Sequence, residues 1–217
     1  MKTIGKIRAK IHGEVFDYQV LLDTLSGYRK PRDKITRLLA AGAIVRIKKG
    51  LYCFGDPFRK GPISREHLAN LIYGPSYISI DYALSYYGLI PERVETITSV
   101  TTHRSRDFDT PFGAFSYHIL KLPRYAVGAV FEIAGNIPYL VASPEKALVD
   151  KVWTDKRFSG RRISDFDDYL CGDLRVDRGD LGELDYDRLQ AVAKAYDSAK
   201  INNLVRHLKR LKGKSDA

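Results

Sequence analysis

The sequence predicts an α+β protein: a small cationic unit of helices closed by a hairpin over residues 1–60, then a mixed α/β domain over 61–217 that ends in closing helices. Three observations predict it. Apolar residues recur at helical spacing three times before Gly42 and then alternate between Ile44 and Phe54. Asp56-Pro57 and Gly61-Pro62 punctuate a linker, which puts a domain boundary near residue 60. Beyond it, β-branched and aromatic runs come first and helical patterns last.

In the first unit Ile4, Ile7 and Ile11 share one helical face, and Gly13 ends the run. Phe16-Asp17 offers a hydrophobic staple and an N-cap for a second helix, with Val20, Leu21, Leu22 and Leu25 expected inward. Ser26-Gly27 breaks the chain, and Pro31 suits the first turn of a third helix whose apolar stripe is Ile35, Leu38 and Leu39. Lys30, Asp33, Lys34 and Arg37 fall on the opposite side, because positions three, four and seven apart share a face. Gly42 is a left-handed stop. Val45 and Ile47 then point one way and Arg46 and Lys48 the other, with Lys48-Lys49-Gly50 turning the strand into Leu51–Phe54. Helices followed by a tight basic hairpin form the order of a winged helix-turn-helix.

The second domain begins with a helix over 64–72, opened by Ser64 and Glu66, and a second over 80–87 with Ala83, Leu84 and Tyr87 at packing spacing. Strands are expected over 96–102, 112–120, 127–134 and 138–142. Ser143-Pro144-Glu145 starts a helix that runs to about Trp153. An acidic stretch over 163–187 holds a short helix and a loop, and two helices close the chain from Tyr186 to Lys212.

Charge is distributed unevenly, and the distribution says more than its sum. The formal net charge is +10: residues 1–60 carry +9, 163–187 carry −7 and 188–217 carry +6. An anionic partner is implied. With 44% hydrophobic and 29% charged residues, wholesale disorder is excluded. No apolar run is long enough for a membrane span, and Met1-Lys2-Thr3-Ile4-Gly5-Lys6 lacks the core of a signal peptide, so a cytoplasmic protein with no membrane partner is expected. Cys53 and Cys171 have no CxxC neighbour and read as inert thiols.

The candidate DNA-contacting residues are Lys30, Arg32, Lys34, Thr36, Arg37, Arg46, Lys48 and Lys49. A recognition helix enters the major groove, where arginine matches guanine O6 and N7, so Arg37 and Arg32 are assigned to base edges. Lys30 and Lys34 suit base or phosphate. Lys48 and Lys49 at the hairpin tip suit phosphate or the adjacent minor groove. Arg104 and Arg106 form a second cluster that fits DNA, RNA or protein contact, or the simple decoration of a strand end. Asp165, Asp167 and Asp168 read as solvated surface. His103 and His118 lack a third ligand, so neither a metal nor another cofactor is expected. No GxSxG, HExxH, P-loop or GxGxxG occurs, and no enzymatic activity is expected.

Longer motifs add a resemblance. Tyr73-Gly74-Pro75-Ser76-Tyr77-Ile78-Ser79-Ile80-Asp81-Tyr82-Ala83-Leu84-Ser85-Tyr86-Tyr87-Gly88-Leu89-Ile90-Pro91-Glu92 resembles the central signature of the AbiEi-type antitoxins. Thr98 to Arg106, Phe112 to Tyr117, and Ala142-Ser143-Pro144-Glu145-Lys146-Ala147-Leu148-Val149-Asp150 agree with it, and Lys48 to Tyr52 is similar to that family's wing. The likeness spans roughly residues 14 to 155; the closing helices match only in general character. It implies a bacterial winged helix-turn-helix joined to an antitoxin domain, repressing its own operon at promoter inverted repeats. It further implies a nucleotidyltransferase-like toxin that is counteracted in a type IV toxin–antitoxin system, with abortive infection as one setting. Gly74, Pro75, Gly88 and the Ser143-Pro144-Glu145 start read as folding residues, so Tyr77, Tyr82 and Glu145 are assigned no function. The alternative is an RNA-binding or protein-interaction module without a transcriptional role.

Overall fold

The structure is a computed structural model that describes residues 2–215. The fold is α+β, with helices at both ends. It divides into two compact units, residues 1–68 with 110–112, and residues 69–109 with 113–217.

The first unit follows the order α1 (Lys2–Lys10), β1 (Val15–Asp17), α2 (Tyr18–Thr24), α3 (Pro31–Ala40), β2 (Ile44–Lys48), β3 (Leu51–Phe54). Asp17 caps α2 as expected, accepting from the Val20 amide at 2.7 Å. Phe16 is buried and its ring meets Phe54 at 4.8 Å. Leu21 and Leu25 reach the core, but Val20 is 41% exposed. In so short a helix, residues four apart share the inner face and Val20 lies about 100° off it. The strand β1, absent from the sequence reading, turns the hairpin into a three-stranded sheet ordered β1-β3-β2. As the middle strand, β3 is buried on both faces, which accounts for its run of Leu51, Tyr52, Cys53 and Phe54. Burial pushes the Cys53 thiol up to about 11, so it stays protonated.

Strict alternation in β2 fails. The pairing shifts between Arg46–Tyr52 and Lys48–Leu51, so Ile44 and Ile47 are buried while Val45 is only half-buried. One extra residue in a strand reverses which side chains face the core.

The second unit opens within α4 (Arg65–Ile72), capped by the Ser64 hydroxyl, which accepts from the His67 amide at 3.0 Å. Next come β4 (Ser76–Ile78), α5 (Ile80–Tyr86), β5 (Ile97–Thr101), β6 (Arg106–Thr110) and β7 (Gly113–Ile119). The chain continues through α6 (Leu122–Tyr125), β8 (Ala129–Ala134), β9 (Ile137–Ala142) and α7 (Pro144–Thr154). The strands form one mixed sheet ordered β6-β7-β5-β4-β9-β8. The short strand β4 joins its two halves, antiparallel to β5 and parallel to β9. Its residues Ser76, Tyr77 and Ile78 are all buried. A three-residue strand without alternation carries no periodic signal, which is why the sequence does not announce it.

Ser143 starts α7 as expected, its hydroxyl accepting from the Lys146 amide at 3.3 Å. The acidic stretch holds more structure than one helix and a loop. A turn of α8 (Asp165–Asp167) runs into a π-helical segment over 168–173, and α9 (Arg178–Glu183) follows, capped by Asp177. Phe166, Tyr169, Leu170, Val176 and Leu181 are buried there, so the stretch has an apolar inner face despite its charge. Two helices close the chain, α10 (Tyr186–Tyr196) and α11 (Ala199–Ser215). Among the described residues no helix is long and apolar enough to cross a membrane.

Burial lowers the pKa of His118 and of His207 below the ordinary 6.5. As pH falls through about 6.5 the unfolded chain therefore takes up these protons before the folded one does. Stability of the second unit is expected to fall from pH 7 downward and to level off once the folded imidazoles are also protonated. Urea midpoints at stepped pH, compared with those of the His118→Gln/His207→Gln double variant, measure this share.

Candidate nucleic-acid interface

The candidate interface comprises α3 and the β2–β3 turn, both in the first unit. Pro31 occupies the first helical turn, where a missing amide proton costs nothing. Ile35 and Leu38 are buried and Leu39 packs beside them, which fixes the rotation of α3. Arg32, Asp33, Thr36 and Arg37 are then left exposed. Lys30 is exposed and lies 4.0 Å from Asp33, a contact too solvated to immobilise either side chain. Lys34 is half-buried, its ammonium 5.7 Å from the centre of the Tyr28 ring. Tyr28 is itself held by a 3.1 Å hydrogen bond from its hydroxyl to Thr3. The Thr36 hydroxyl donates to the Arg32 carbonyl at 3.2 Å and is occupied within the helix.

The exit from α3 is tightly built. Gly42 takes the left-handed conformation with φ of 62°, and the Gly42 and Ala43 amides bond back to Leu39 and Leu38 at 3.0 and 2.9 Å. Gly55, at the end of β3, packs against this corner. A β-carbon there would lie 1.9 Å from the Gly42 carbonyl oxygen. Gly55→Ala is expected to destabilise the first unit by about 1–3 kcal/mol, since backbone must move to admit the methyl. Faster hydrogen exchange over 44–54, with the second unit unchanged, is the readout.

At the hairpin, Arg46 and Lys49 are exposed and Lys48 is half-buried. Gly50 makes the reversal with φ of 88°, and its carbonyl accepts from the Tyr18 amide at 2.9 Å, which ties the turn to the start of α2. The two exposed cationic sets, on α3 and on the hairpin, thus belong to one compact unit with a shared core. Burial of Ile35 and Leu38 aims the first, and the β2–β3 ladder positions the second.

The other clusters are more self-contained. Arg106 lies over the Phe108 ring at 5.0 Å, while His103 sits beside Tyr73 at 5.7 Å. His118 approaches Ser116 at 3.4 Å. Asp165 bonds Arg162 at 3.2 Å and Asp167 bonds Arg178 at 2.6 Å. Among the described residues no three His, Cys, Asp or Glu side chains gather to hold a metal. A groove of about 910 Å³ in the second unit has several of its lining charges paired within it, including Lys151 with Asp81 at 2.6 Å and Arg93 with Glu95 at 2.8 Å.

Sequence reasoning missed a buried polar network in that unit. Lys146 and Asp150, one helical turn apart on α7, are both fully buried and 2.9 Å apart. The Lys146 ammonium also donates to the Arg124 carbonyl at 2.8 Å and to the Tyr196 hydroxyl at 2.5 Å. Asp150 accepts from Ser79 at 2.6 Å and from Tyr196. Burial lowers the Lys146 pKa while Asp150 opposes the shift. Burial also drives the Tyr196 hydroxyl far above its usual range, with Asp150 adding to it. The network ties α6, α7 and α10 to Ser79, the N-cap of α5. The four-residue spacing of Lys146 and Asp150 was visible, but the partners that make it a closed set come from elsewhere in the chain.

Beside the network, Ile80 adopts φ of 59° at the start of α5, a conformation that costs a β-branched residue of order 1–3 kcal/mol. The Thr98 hydroxyl holds it, donating to the Ser79 carbonyl at 2.6 Å and accepting from the Tyr82 amide at 3.0 Å. No protein-family model matches this chain, and no curated protein matches it in sequence.

Proposed function

We propose that the first unit is a winged helix-turn-helix that binds duplex DNA, with α3 in the major groove and the β2–β3 turn against the backbone. The observation that carries this is the placing of exposed Arg32, Arg37, Arg46 and Lys49 on a helix and a hairpin that share one core. Three helices followed by a hairpin, in a segment of net charge +9, supply both the shape and the electrostatics. Arg32 and Arg37 read base edges. Lys30, Arg46, Lys48 and Lys49 serve phosphates, and Lys34, seated on Tyr28, has a more restricted reach than the others.

The resemblance of residues 73–92 and 142–150 to the AbiEi-type antitoxins supplies the biological reading. On it, the chain represses its own operon at inverted repeats and counteracts a nucleotidyltransferase-like toxin encoded beside it. The test is an electrophoretic shift with the DNA upstream of its own gene, against scrambled duplex of equal length. Retardation of the upstream fragment at lower protein concentration supports the reading, and equal or absent retardation overturns it. Growth rescue from the neighbouring gene product, scored with and without this protein, tests the antitoxin half separately.

A further inference from the structure

The two edges of the six-stranded sheet are built differently. β6, at one end, reads Arg106-Asp107-Phe108-Asp109-Thr110, and its charged residues Arg106, Asp107 and Asp109 are exposed. Exposed charge is a standard guard against strand pairing. β8, at the other end, reads Ala129-Val130-Phe131-Glu132-Ile133-Ala134, with no proline, no lysine and a single charge. Its exposure alternates strictly, and Phe131 and Ile133 are 75% and 67% exposed. Beside them on β9 stand Leu140, paired with Phe131, and Pro138, paired with Ile133, so the apolar surface extends inward from the edge.

The register shows what this edge can accept. The Ser143 amide bonds to the Gly128 carbonyl at 2.8 Å, which places Gly128 in a pair that turns its backbone groups toward β9. Alternate residues of an antiparallel strand turn these groups to opposite sides. Val130, Glu132 and Ala134 therefore bond to β9, while Ala129, Phe131 and Ile133 aim N–H and C=O outward. These same three residues carry the exposed side chains.

We propose that β8 is a homodimer interface: two copies pair antiparallel through β8, about a two-fold axis at Phe131, and join their sheets into one. Chemistry selects a second copy as the occupant because the edge is complementary to itself in one register. A two-fold normal to the sheet keeps each face on its own side, so Phe131 must oppose an odd-numbered residue. With Phe131 opposite Phe131, Ala129 lies opposite Ile133, and every outward backbone group of the three residues finds a partner. Glu132 then faces Val130 of the second copy, and no like charges meet. Moving the centre to Glu132 sets two carboxylates side by side, and moving it to Val130 leaves the backbone groups of Ile133 unpaired. Symmetric association of one patch with itself closes at two copies. The proposal stands whether or not the first unit binds DNA.

Sedimentation of the full chain over a range of concentrations is the first test. The mass is expected to rise toward twice 24.6 kDa. Phe131→Lys is expected to raise the dimer dissociation constant by at least about tenfold, through lost apolar burial and opposed charge. Phe131→Pro removes an outward amide without touching the β9 ladder and is expected to act likewise. Trp153 fluorescence and circular dichroism show that each variant is folded. If proline disturbs the strand, the lysine variant decides alone. The register has its own test: under mild oxidation Phe131→Cys is expected to form a disulfide-linked dimer, because paired Cα atoms lie about 5.5 Å apart. Ile133→Cys is not expected to do so. A monomer at every concentration, a dimer that both variants leave intact, open-ended assembly, or cross-linking through Ile133→Cys in place of Phe131→Cys overturns the proposal.

Discussion

Asp150→Ala is expected to cost the second unit about 3–5 kcal/mol, the penalty for leaving a buried ammonium without its counter-charge. Lys146 and Asp150 are both fully buried, so bulk solvent does not screen the pair. Without the carboxylate, the ammonium keeps only the Arg124 carbonyl and the Tyr196 hydroxyl, neither of which balances its charge. Ser79 also loses its acceptor, at the turn where Ile80 is already held in a strained conformation. The chain has one tryptophan, Trp153, which sits on α7 with its ring 5.7 Å from that of Tyr196. Urea unfolding followed by its fluorescence therefore reports on the unit that carries the network. Lys146→Met/Asp150→Leu removes both charges together and is expected to be more stable than Asp150→Ala, since neither group is left unpaired. A single variant within about 1 kcal/mol of wild type would show that the buried pair does not stabilise the second unit to this extent.

The second large effect concerns DNA. If about six phosphates are contacted, affinity is expected to fall by roughly three orders of magnitude between about 50 and 200 mM salt. Arg37→Glu puts negative charge on the exposed face of α3 and is expected to remove the preference for the upstream fragment over scrambled duplex. Loss of a base-reading arginine is worth about 1–3 kcal/mol of discrimination. Lys49→Ala is expected to weaken all duplexes alike and to reduce the salt slope by about one unit. Fluorescence anisotropy on both duplexes across the salt series separates the two behaviours. Equal losses on both duplexes for Arg37→Glu would assign Arg37 to phosphate rather than to base edges. A flat salt response would remove the electrostatic basis of the whole interface.

The candidate interface was largely legible in the linear chain because its determinants are local. Pro31, the stripe of Ile35 and Leu38, and Gly42 define α3 within a dozen residues, so the exposure of Arg32 and Arg37 follows from helical geometry. Lys34 is the exception: its contact with Tyr28 depends on a side chain anchored to α1. The hairpin was legible from Lys48-Lys49-Gly50, but its inward face was not, because the extra residue in β2 has no mark in composition. The acidic stretch misled for a related reason, since its many aspartates masked the spaced apolar residues that fold it against the core.

The sequence by itself determined where the chain is cationic, where it bends and which helices begin at capped turns, because these rest on near neighbours. Only the tertiary structure decided the central place of β4, the burial of Lys146 with Asp150 and Tyr196, and the bare edge at β8. Each of those joins or separates residues far apart in the chain. Strand order and the pairing of buried charges are set by which segments meet, and no spacing within one segment encodes that.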